Sequence, residues 1–300
     1  MEFLNQFKQA ESKAFGFIAC LLLIVLFTTI LQSPILLLAL EMGVPLSQEG
    51  ILQGGIDKNL FLLLSLLPFI GIILGLYIGV KKIHKLDFTK LISTTGTFEI
   101  KRFGFGFFIW ILLSAGSLGV DYLLHAEDYL LQFELNNFLP LLLIALLFIP
   151  IQTSSEELLV RSYLMQMVGI STNKRWIPIV LTSTLFGLLH LANPEMDHYG
   201  ALTILPMYIG SGILFAICTI MDNRLELALG MHAANNIFIS LLVTNQNSVF
   251  QTYAVFEAPQ DDIFLNYISW TIGSCLFLYL AHKKYKWKNW NYLIGTKPDQ

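Results

Sequence analysis

Eight stretches of the sequence are apolar for long enough to cross a lipid bilayer as helices. A transmembrane helix needs about 20 consecutive, mostly apolar residues. The stretches are residues 15–40, 60–80, 103–124, 138–168, 176–192, 201–221, 225–245 and 263–282. The first is longer than the apolar core of a signal peptide and no A-x-A cleavage site follows it, so we expect an uncleaved span. The pattern predicts an all-α fold, a polytopic membrane protein built as a bundle of eight transmembrane helices.

The composition excludes most other classes of protein. Only 13% of the 300 residues are charged, against about 25% in soluble domains. So few charges cannot cover a water-facing surface, which excludes a cytosolic or secreted globular protein and a disordered chain. A basic face for nucleic acid is excluded as well, so the expected partner is the lipid bilayer. The three cysteines, Cys20, Cys218 and Cys275, lie in apolar runs without metal-ligand spacing and predict free thiols.

The distribution of charged residues predicts the orientation of the chain. If the N-terminus is cytosolic and eight spans alternate, every Lys and Arg except Lys58 falls on the cytosolic side. The opposite side then holds Glu41, Glu49, Asp57, Asp121, Glu127, Asp128, Glu134, Glu195, Asp197, Glu257, Asp261 and Asp262. Cytosolic loops of membrane proteins carry an excess of Lys and Arg, so we expect both termini in the cytosol.

The spans divide the chain into three regions and one of them carries a packing motif. The regions are residues 1–137 with three spans, residues 138–245 with spans four to seven, and residues 246–300 with the eighth span and a basic tail. On the second span, Gly71, Gly75 and Gly79 recur at every fourth residue, a spacing that allows close helix approach. We expect these glycines to serve packing inside the bundle; the oligomeric state is not readable from the sequence.

Six residues inside apolar spans are the most informative, because ionisable groups there are costly and commonly functional. They are Glu156, Glu157, Arg161, His190, His232 and Asn236. Glu157 and Arg161 are four positions apart, which places them on one helix face and predicts an ion pair that supports the site. Glu156 lies about 100° around the helix and is left for another role. His232 and Asn236 have the same four-residue spacing and share a face.

These residue types suit acid–base chemistry on a carbonyl group. Glu156 can act as the general base that deprotonates a water molecule, with His190 orienting the water or sharing its proton. His232 and Asn236 can donate hydrogen bonds to the developing oxyanion. The predicted reaction is hydrolysis of an amide bond. Carboxylate and imidazole are also zinc ligands, so Glu156, His190 and His232 are candidate metal ligands and the use of a metal stays open.

Three short motifs in spans four to seven resemble those of a known membrane-protein family. They are Glu156-Glu157-x-x-x-Arg161, Phe186-x-x-x-His190 and His232-x-x-x-Asn236. In this order they are similar to the motifs of the CPBP family. That family groups type II CAAX prenyl endopeptidases with bacteriocin-processing and bacteriocin-immunity proteins, also called abortive-infection proteins. The resemblance covers about residues 138–245.

The resemblance implies an eight-helix intramembrane protease whose active site opens toward the cytosol. It implies that Glu156 activates water with His190 as its partner, and that His232 and Asn236 form the oxyanion hole. Family members have been described both as metalloproteases and as metal-independent glutamic peptidases, so the cofactor is either a divalent metal such as zinc or none. The expected substrate is a membrane-bound peptide or protein, lipidated or not, in the plasma membrane of a prokaryote.

Two other functions fit the same residues. A non-proteolytic immunity or scaffold protein of the same family would recognise a partner through the cavity without cutting it. A proton-coupled transporter would use the buried carboxylates and imidazoles as a proton relay. The sequence shows neither the paired broken helices nor the inverted repeat typical of transporters. The complete set of acid, imidazole and amide residues favours the protease over the scaffold.

Overall fold

The computed structural model describes residues 2–11, 14–258 and 262–296 of the chain. Most of these residues lie in α-helices. The helices are α1 (Ala14–Met42), α2 (Gln48–Gln53), α3 (Lys58–Ile78), α4 (Ile100–Leu124), α5 (Leu135–Glu157), α6 (Met165–Ile170), α7 (Trp176–Leu189), α8 (Pro194–Tyr199), α9 (Ala201–Asp222), α10 (Glu226–Leu242), α11 (Ile263–Tyr285) and α12 (Asn291–Ile294). Asp57 and Asp262 start α3 and α11, because each aspartate side chain accepts hydrogen bonds from free backbone N–H groups of the first turn.

Two of the helices continue in π-helical geometry. Gly79–Ile83 extends α3, and Leu158–Leu164 joins α5 to α6. The chain is therefore helical without a break from Leu135 to Ile170. Single π-turns inside α-helices are frequent at functional sites, and this one begins directly after the second glutamate of the first motif. Short 3-10 turns complete the helical part: Phe3–Gln9, Phe88–Leu91 and Ala126–Asp128.

A small sheet lies at one end of the bundle and was not predicted. Its strands are β1 (Leu130–Leu131), β2 (Val243–Thr244) and β3 (Phe256–Glu257), in the order β1-β3-β2. The β1 strand pairs with β3 in antiparallel fashion, and β2 pairs with β3 in parallel. The sheet ties the loop after α4 to the loop after α10, which gives hydrogen-bond partners to backbone groups outside the helices. This end of the bundle is called the sheet end below.

The other end of the bundle holds both described terminal segments and is called the terminal end. The backbone N–H of Phe3 donates to Oδ1 of Asn223 at 3.1 Å, just after α9. The indole N–H of Trp287 donates to Oδ1 of Asp222 at 3.0 Å. The chain thus returns its first and last described segments to the same side of the bundle.

All eight predicted spans are helical, but they are not equally long. Six helices are long and apolar enough to cross a membrane, namely α1, α3, α4, α5 with its extension to α6, α9 and α11. The helices α7 and α10 contain 14 and 17 residues, fewer than the roughly 20 that a crossing needs. The chain is therefore a polytopic helical membrane protein with six long apolar helices among the described residues.

The glycines of the second span serve packing inside the bundle, as predicted. A Cβ atom on Gly71 would lie 2.6 Å from the carbonyl carbon of Phe27, and one on Gly75 would lie 2.6 Å from Cα of Ile24. Real side chains cannot approach a backbone so closely. The glycines therefore allow α3 to lie directly against the backbone of α1, because no side chain keeps the two helices apart.

A second backbone-to-backbone contact joins α4 to α10 and positions the site. A Cβ atom on Gly106 would lie 2.5 Å from the carbonyl oxygen of Leu227, and one on Gly230 would lie 2.8 Å from the backbone nitrogen of Phe107. The α10 helix is buried on nearly all sides. Its polar side chains consequently lie inside the bundle, where they need polar partners from other helices.

Candidate active site

Glu157 is fully buried and joins two side chains of the predicted site. Its Oε1 atom accepts a hydrogen bond from Nδ1 of His232 at 2.8 Å and lies 3.2 Å from Nη1 of Arg161. Arg161 is also fully buried, and its guanidinium lies 3.8 Å from the centre of the Phe186 ring. The ion pair predicted from the sequence spacing is present. Because Glu157 also engages Nδ1 of His232, Nε2 is the ring nitrogen of that histidine left for other partners.

Glu156 faces a different environment from its neighbour. Its Oε1 accepts a hydrogen bond from Nε2 of Gln152 at 2.7 Å. Its Oε2 is buried, has no hydrogen-bond partner among the described residues, and lies 3.6 Å from Nε2 of His232. The two adjacent carboxylates are therefore unequal, as the sequence predicts: Oε1 of Glu157 is held by Arg161 and His232, whereas Glu156 lines the cavity described below.

Three side-chain amides connect the site across two helices. Nδ2 of Asn236 donates to Oε1 of Gln152 at 3.1 Å and lies 3.5 Å from Nε2 of His232. Nδ2 of Asn235 donates to Oδ1 of Asn236 at 3.1 Å, which fixes the orientation of that amide. The sequence analysis missed Gln152, although a polar residue four positions before Glu156 in an apolar run places it on the same helix face.

His190 lies where α7 ends, and two contacts orient its ring. Nδ1 lies 2.7 Å from the carbonyl oxygen of Phe186, and because a carbonyl only accepts, Nδ1 carries the proton and Nε2 is free to accept. The ring also stacks on Tyr208, with 4.2 Å between the ring centres. The hydroxyl of Tyr208 donates to Glu195 and accepts from Asn193 at 2.9 Å. The sequence analysis missed these three supporting residues because they belong to another span and its loop.

The structure does not pair Glu156 with His190 directly. No hydrogen bond or ion pair joins the two side chains in the described part of the chain; the imidazole within ion-pair range of Glu156 is that of His232. Phe186 lies between the two histidines, with its ring centre 4.5 Å from that of His190 and 6.0 Å from that of His232.

A cavity of about 670 Å³ brings the predicted residues together. Glu156, His190, His232 and Asn236 all line it. From these residues the cavity wall continues along α4, α9 and α11 to the sheet end, where it includes Gln48, Asp121, Tyr129, Asn245, Asn247, Ser248 and Gln251. The predicted residues thus lie at the deep end of one continuous cavity.

The direction of the cavity bears on two expectations at once. The charge pattern predicts cytosolic termini, and the family resemblance implies a site that opens toward the cytosol. The cavity reaches the sheet end, and none of the described loop residues of the terminal end is part of its wall. Both expectations cannot hold for this cavity, because its loop-lined part lies at the end opposite the termini.

The candidate metal ligands do not form a metal site in this arrangement. The described residues contain no group of three His, Cys, Asp or Glu side chains placed to hold an ion. Nδ1 of His232 is bonded to Glu157, and Nδ1 of His190 is bonded to the Phe186 carbonyl. The arrangement provides a carboxylate, two imidazoles and an amide around one cavity, a set suited to acid–base chemistry on a carbonyl group.

Comparison with known proteins finds one similar protein and one matching family model. An uncharacterized protein of Bacillus subtilis (strain 168), YyaK, is 35% identical over 195 residues, which make up 65% of this chain and 65% of that protein. The aligned part therefore spans slightly less than two thirds of this relative. No solved structure matches the chain. Residues 135–238, which carry all three motifs, match the family model described as type II CAAX prenyl endopeptidase, Rce1-like. Through this segment the chain is similar to the CAAX-type membrane endopeptidases.

Proposed function

We propose that the protein is an intramembrane endopeptidase that hydrolyses a peptide bond of a membrane-associated or lipidated substrate. The observation that carries this proposal is the environment of Glu156. One of its carboxylate oxygens is buried without a hydrogen-bond partner among the described residues, in a cavity that two imidazoles also line. An unpartnered buried polar atom is costly in a folded protein. Its presence here supports a role in holding a water molecule for reaction.

Glu156 is the general base in this proposal. Gln152 holds its Oε1, which leaves Oε2 to accept a proton from water as the water oxygen attacks the carbonyl carbon of the substrate. The carbonyl oxygen becomes the oxyanion of a tetrahedral intermediate. When the intermediate collapses and the C–N bond breaks, Glu156 returns the proton to the amine leaving group, which restores the carboxylate.

His190 orients the attacking water. Its Nδ1–H donates to the Phe186 carbonyl, so Nε2 presents a lone pair that accepts a hydrogen bond from the same water. The stacked Tyr208 ring and the Phe186 ring hold the imidazole from two sides. A fixed ring keeps the water aligned with the scissile carbonyl. Such positioning of the reacting groups contributes a large part of an enzyme's rate enhancement.

His232 and Asn236 stabilise the oxyanion. Nε2 of His232 and Nδ2 of Asn236 lie 3.5 Å apart, so one oxygen atom can accept from both. The Nδ1–H of His232 is already donated to Glu157. Donation through Nε2 as well requires a proton on each ring nitrogen.

We also propose the finer features of the topology. The chain crosses the plasma membrane of a prokaryote eight times with both termini in the cytosol, and residues 138–245 form the catalytic core between the regions 1–137 and 246–300. The segregation of Lys and Arg to one side supports the orientation. The helices α7 and α10 are about 21 and 26 Å long at 1.5 Å per residue. They complete their crossings together with the loops that follow them.

The test is the substitution Glu156→Gln, which keeps the side-chain size and removes the base. Cells that carry the wild-type protein are compared with cells that carry the variant by mass spectrometry of membrane-protein termini. We expect a set of new termini that appears with the wild type and is absent with Glu156→Gln. Glu127→Gln is the matched control, because Glu127 is exposed in the loop after α4 and outside the cavity.

The folding of each variant is checked by its thermal transition in detergent. If Glu156→Gln folds normally and still produces the wild-type termini, the general-base assignment is wrong. If neither protein produces termini but both bind the same membrane protein, the non-proteolytic scaffold is the better description.

A further inference from the structure

The cavity and the basic residues lie at opposite ends of the bundle. Starting at Glu156, the cavity wall passes through Ser117 of α4 and Ser211 of α9 and ends at loop residues of the sheet end, among them Asn247. Among the described residues, no Lys or Arg side chain is part of this wall. The carboxylates that the described residues contribute to it are those of Asp121, Glu156 and Glu195.

The terminal end of the bundle is closed by a network of buried charged groups. Arg224 is 5% exposed and pairs with the fully buried Glu226 at 2.8 Å. The backbone N–H of Glu99 donates to the same Glu226 carboxylate at 2.9 Å. Arg102 pairs with Asp222 at 2.5 Å. These contacts join the loop before α4 to the connection between α9 and α10. On the side of the terminal end, hydrogen bonds and ion pairs therefore hold these segments together.

The charge distribution assigns the two ends to the two sides of the membrane. The terminal end carries most of the basic residues, including Lys81, Lys82, Lys85, Lys90, Lys174, Arg175, Lys283, Lys284, Lys286 and Lys288. Among the described residues, Lys58 is the one basic residue, Lys or Arg, at the sheet end. Positive loops remain cytosolic. The terminal end is therefore the cytosolic end, and the loop-lined part of the cavity lies on the other side.

We infer that the substrate reaches Glu156 from the non-cytosolic side of the membrane, through the cavity that ends at the sheet end. This inference rests on the proposed endopeptidase function and specifies its substrate class. The substrate is a peptide segment exposed on, or inserted from, the non-cytosolic face. It is uncharged or basic near the scissile bond, because the cavity wall contains carboxylates and no Lys or Arg to balance an acidic segment.

The access route is tested by labelling single cysteines in protoplasts with a membrane-impermeant sulfonated maleimide. The starting protein is Cys275→Ser, since Cys20 and Cys218 are buried and Cys275 is exposed. Asn247→Cys reports on the sheet end, Ser117→Cys on the interior of the cavity, and Asn173→Cys on the terminal end. We expect the first two to react in intact protoplasts and Asn173→Cys to react only after permeabilisation. The starting protein without an added cysteine gives the background.

Two results would overturn the inference. One is labelling of Asn173→Cys in intact protoplasts with Asn247→Cys protected. The other is that Asn247→Cys is labelled in intact protoplasts, whereas Ser117→Cys reacts only after permeabilisation gives the maleimide access from the cytosolic side. Neither result depends on catalysis, so the access route can fail while the endopeptidase proposal stands.

A second experiment tests whether access through the cavity is needed for cleavage. Termini that depend on Glu156 should map to non-cytosolic segments of membrane proteins, and maleimide treatment of intact protoplasts carrying Ser117→Cys should suppress them. The same treatment of Asn173→Cys should leave them unchanged. Glu156-dependent termini that map to cytosolic segments would refute the inference and leave the protease function intact. The absence of any Glu156-dependent termini would refute the protease function and leave the labelling result standing.

Discussion

Nδ1 of His232 donates a hydrogen bond of 2.8 Å to the buried carboxylate of Glu157. A carboxylate that holds one nitrogen of an imidazole fixes its tautomer and its orientation, and it stabilises the charge that the ring gains on protonation. Glu157 in turn lies beside Arg161, whose side chain is completely buried. The second glutamate of the motif is thus a positioning residue for His232, and the first is the one that lines the cavity.

We predict that Arg161→Ala destabilises the protein as well as reducing activity. The substitution leaves the Glu157 carboxylate buried without its cation, and breaking a buried pair on one side costs about 3–5 kcal/mol. The double variant Glu157→Gln/Arg161→Met removes both charges and should be more stable than Arg161→Ala alone. Thermal unfolding in detergent measures both. An unchanged transition temperature for Arg161→Ala would show that the pair does not support the fold.

A second prediction concerns the contact between α4 and α10. Gly230→Ala introduces a methyl group against the backbone of Phe107, and overpacking of this kind costs about 1–3 kcal/mol or displaces the helix. Because α10 carries His232 and Asn236, displacing it moves both side chains. We therefore expect activity to fall by more than the smaller fraction of folded protein would explain. Gly119→Ala is the matched control, since a Cβ atom there meets nothing within 4 Å. Equal behaviour of the two variants would refute the role of this contact.

The sequence predicts the helices and the local pairs but not the contacts between distant segments. The Glu157–Arg161 pair follows from four-residue spacing on one helix, and the apolar stretches follow from their length. The bond from Glu157 to His232 joins residues 75 positions apart and depends on how α5 packs against α10. The π-helical turn at Leu158–Leu164 leaves no mark in the hydropathy pattern. The direction of the cavity depends on loops, whose packing the spans do not determine.

Tyr208 is predicted to position His190. Its hydroxyl is bonded to Glu195 and Asn193, and its ring lies against the imidazole. Tyr208→Phe keeps the ring but releases it from these anchors, and a misplacement of about 1 Å costs on the order of 100-fold in rate. We expect kcat to fall with little change in KM or in the transition temperature. A fall in stability with unchanged kcat would indicate a structural role only.

The ion pair between Glu2 and Arg175 predicts a pH-dependent stability. Burial raises the pKa of Glu2, but the hydrogen bonds and the charge of Arg175, 2.6 Å away, outweigh it and hold the pKa below its ordinary value. A lowered pKa contributes stability that is present above the ordinary value of 4.5 and is lost as the pH falls through the folded-state pKa. Wild type should therefore melt above Glu2→Gln at pH 7, and this difference should shrink below pH 4.5. A difference that is constant with pH would contradict the assignment.

The last prediction concerns the metal that Glu156, His190 and His232 would have to bind. Catalytic zinc takes three protein ligands and one water, and the described residues do not gather three ligand side chains around one point. We therefore expect Glu156-dependent cleavage by the purified protein to survive exhaustive chelation, and elemental analysis to find less than stoichiometric zinc. Loss of activity on chelation, with recovery on adding zinc and one bound ion per chain, would replace the general-base mechanism by a metal-assisted one.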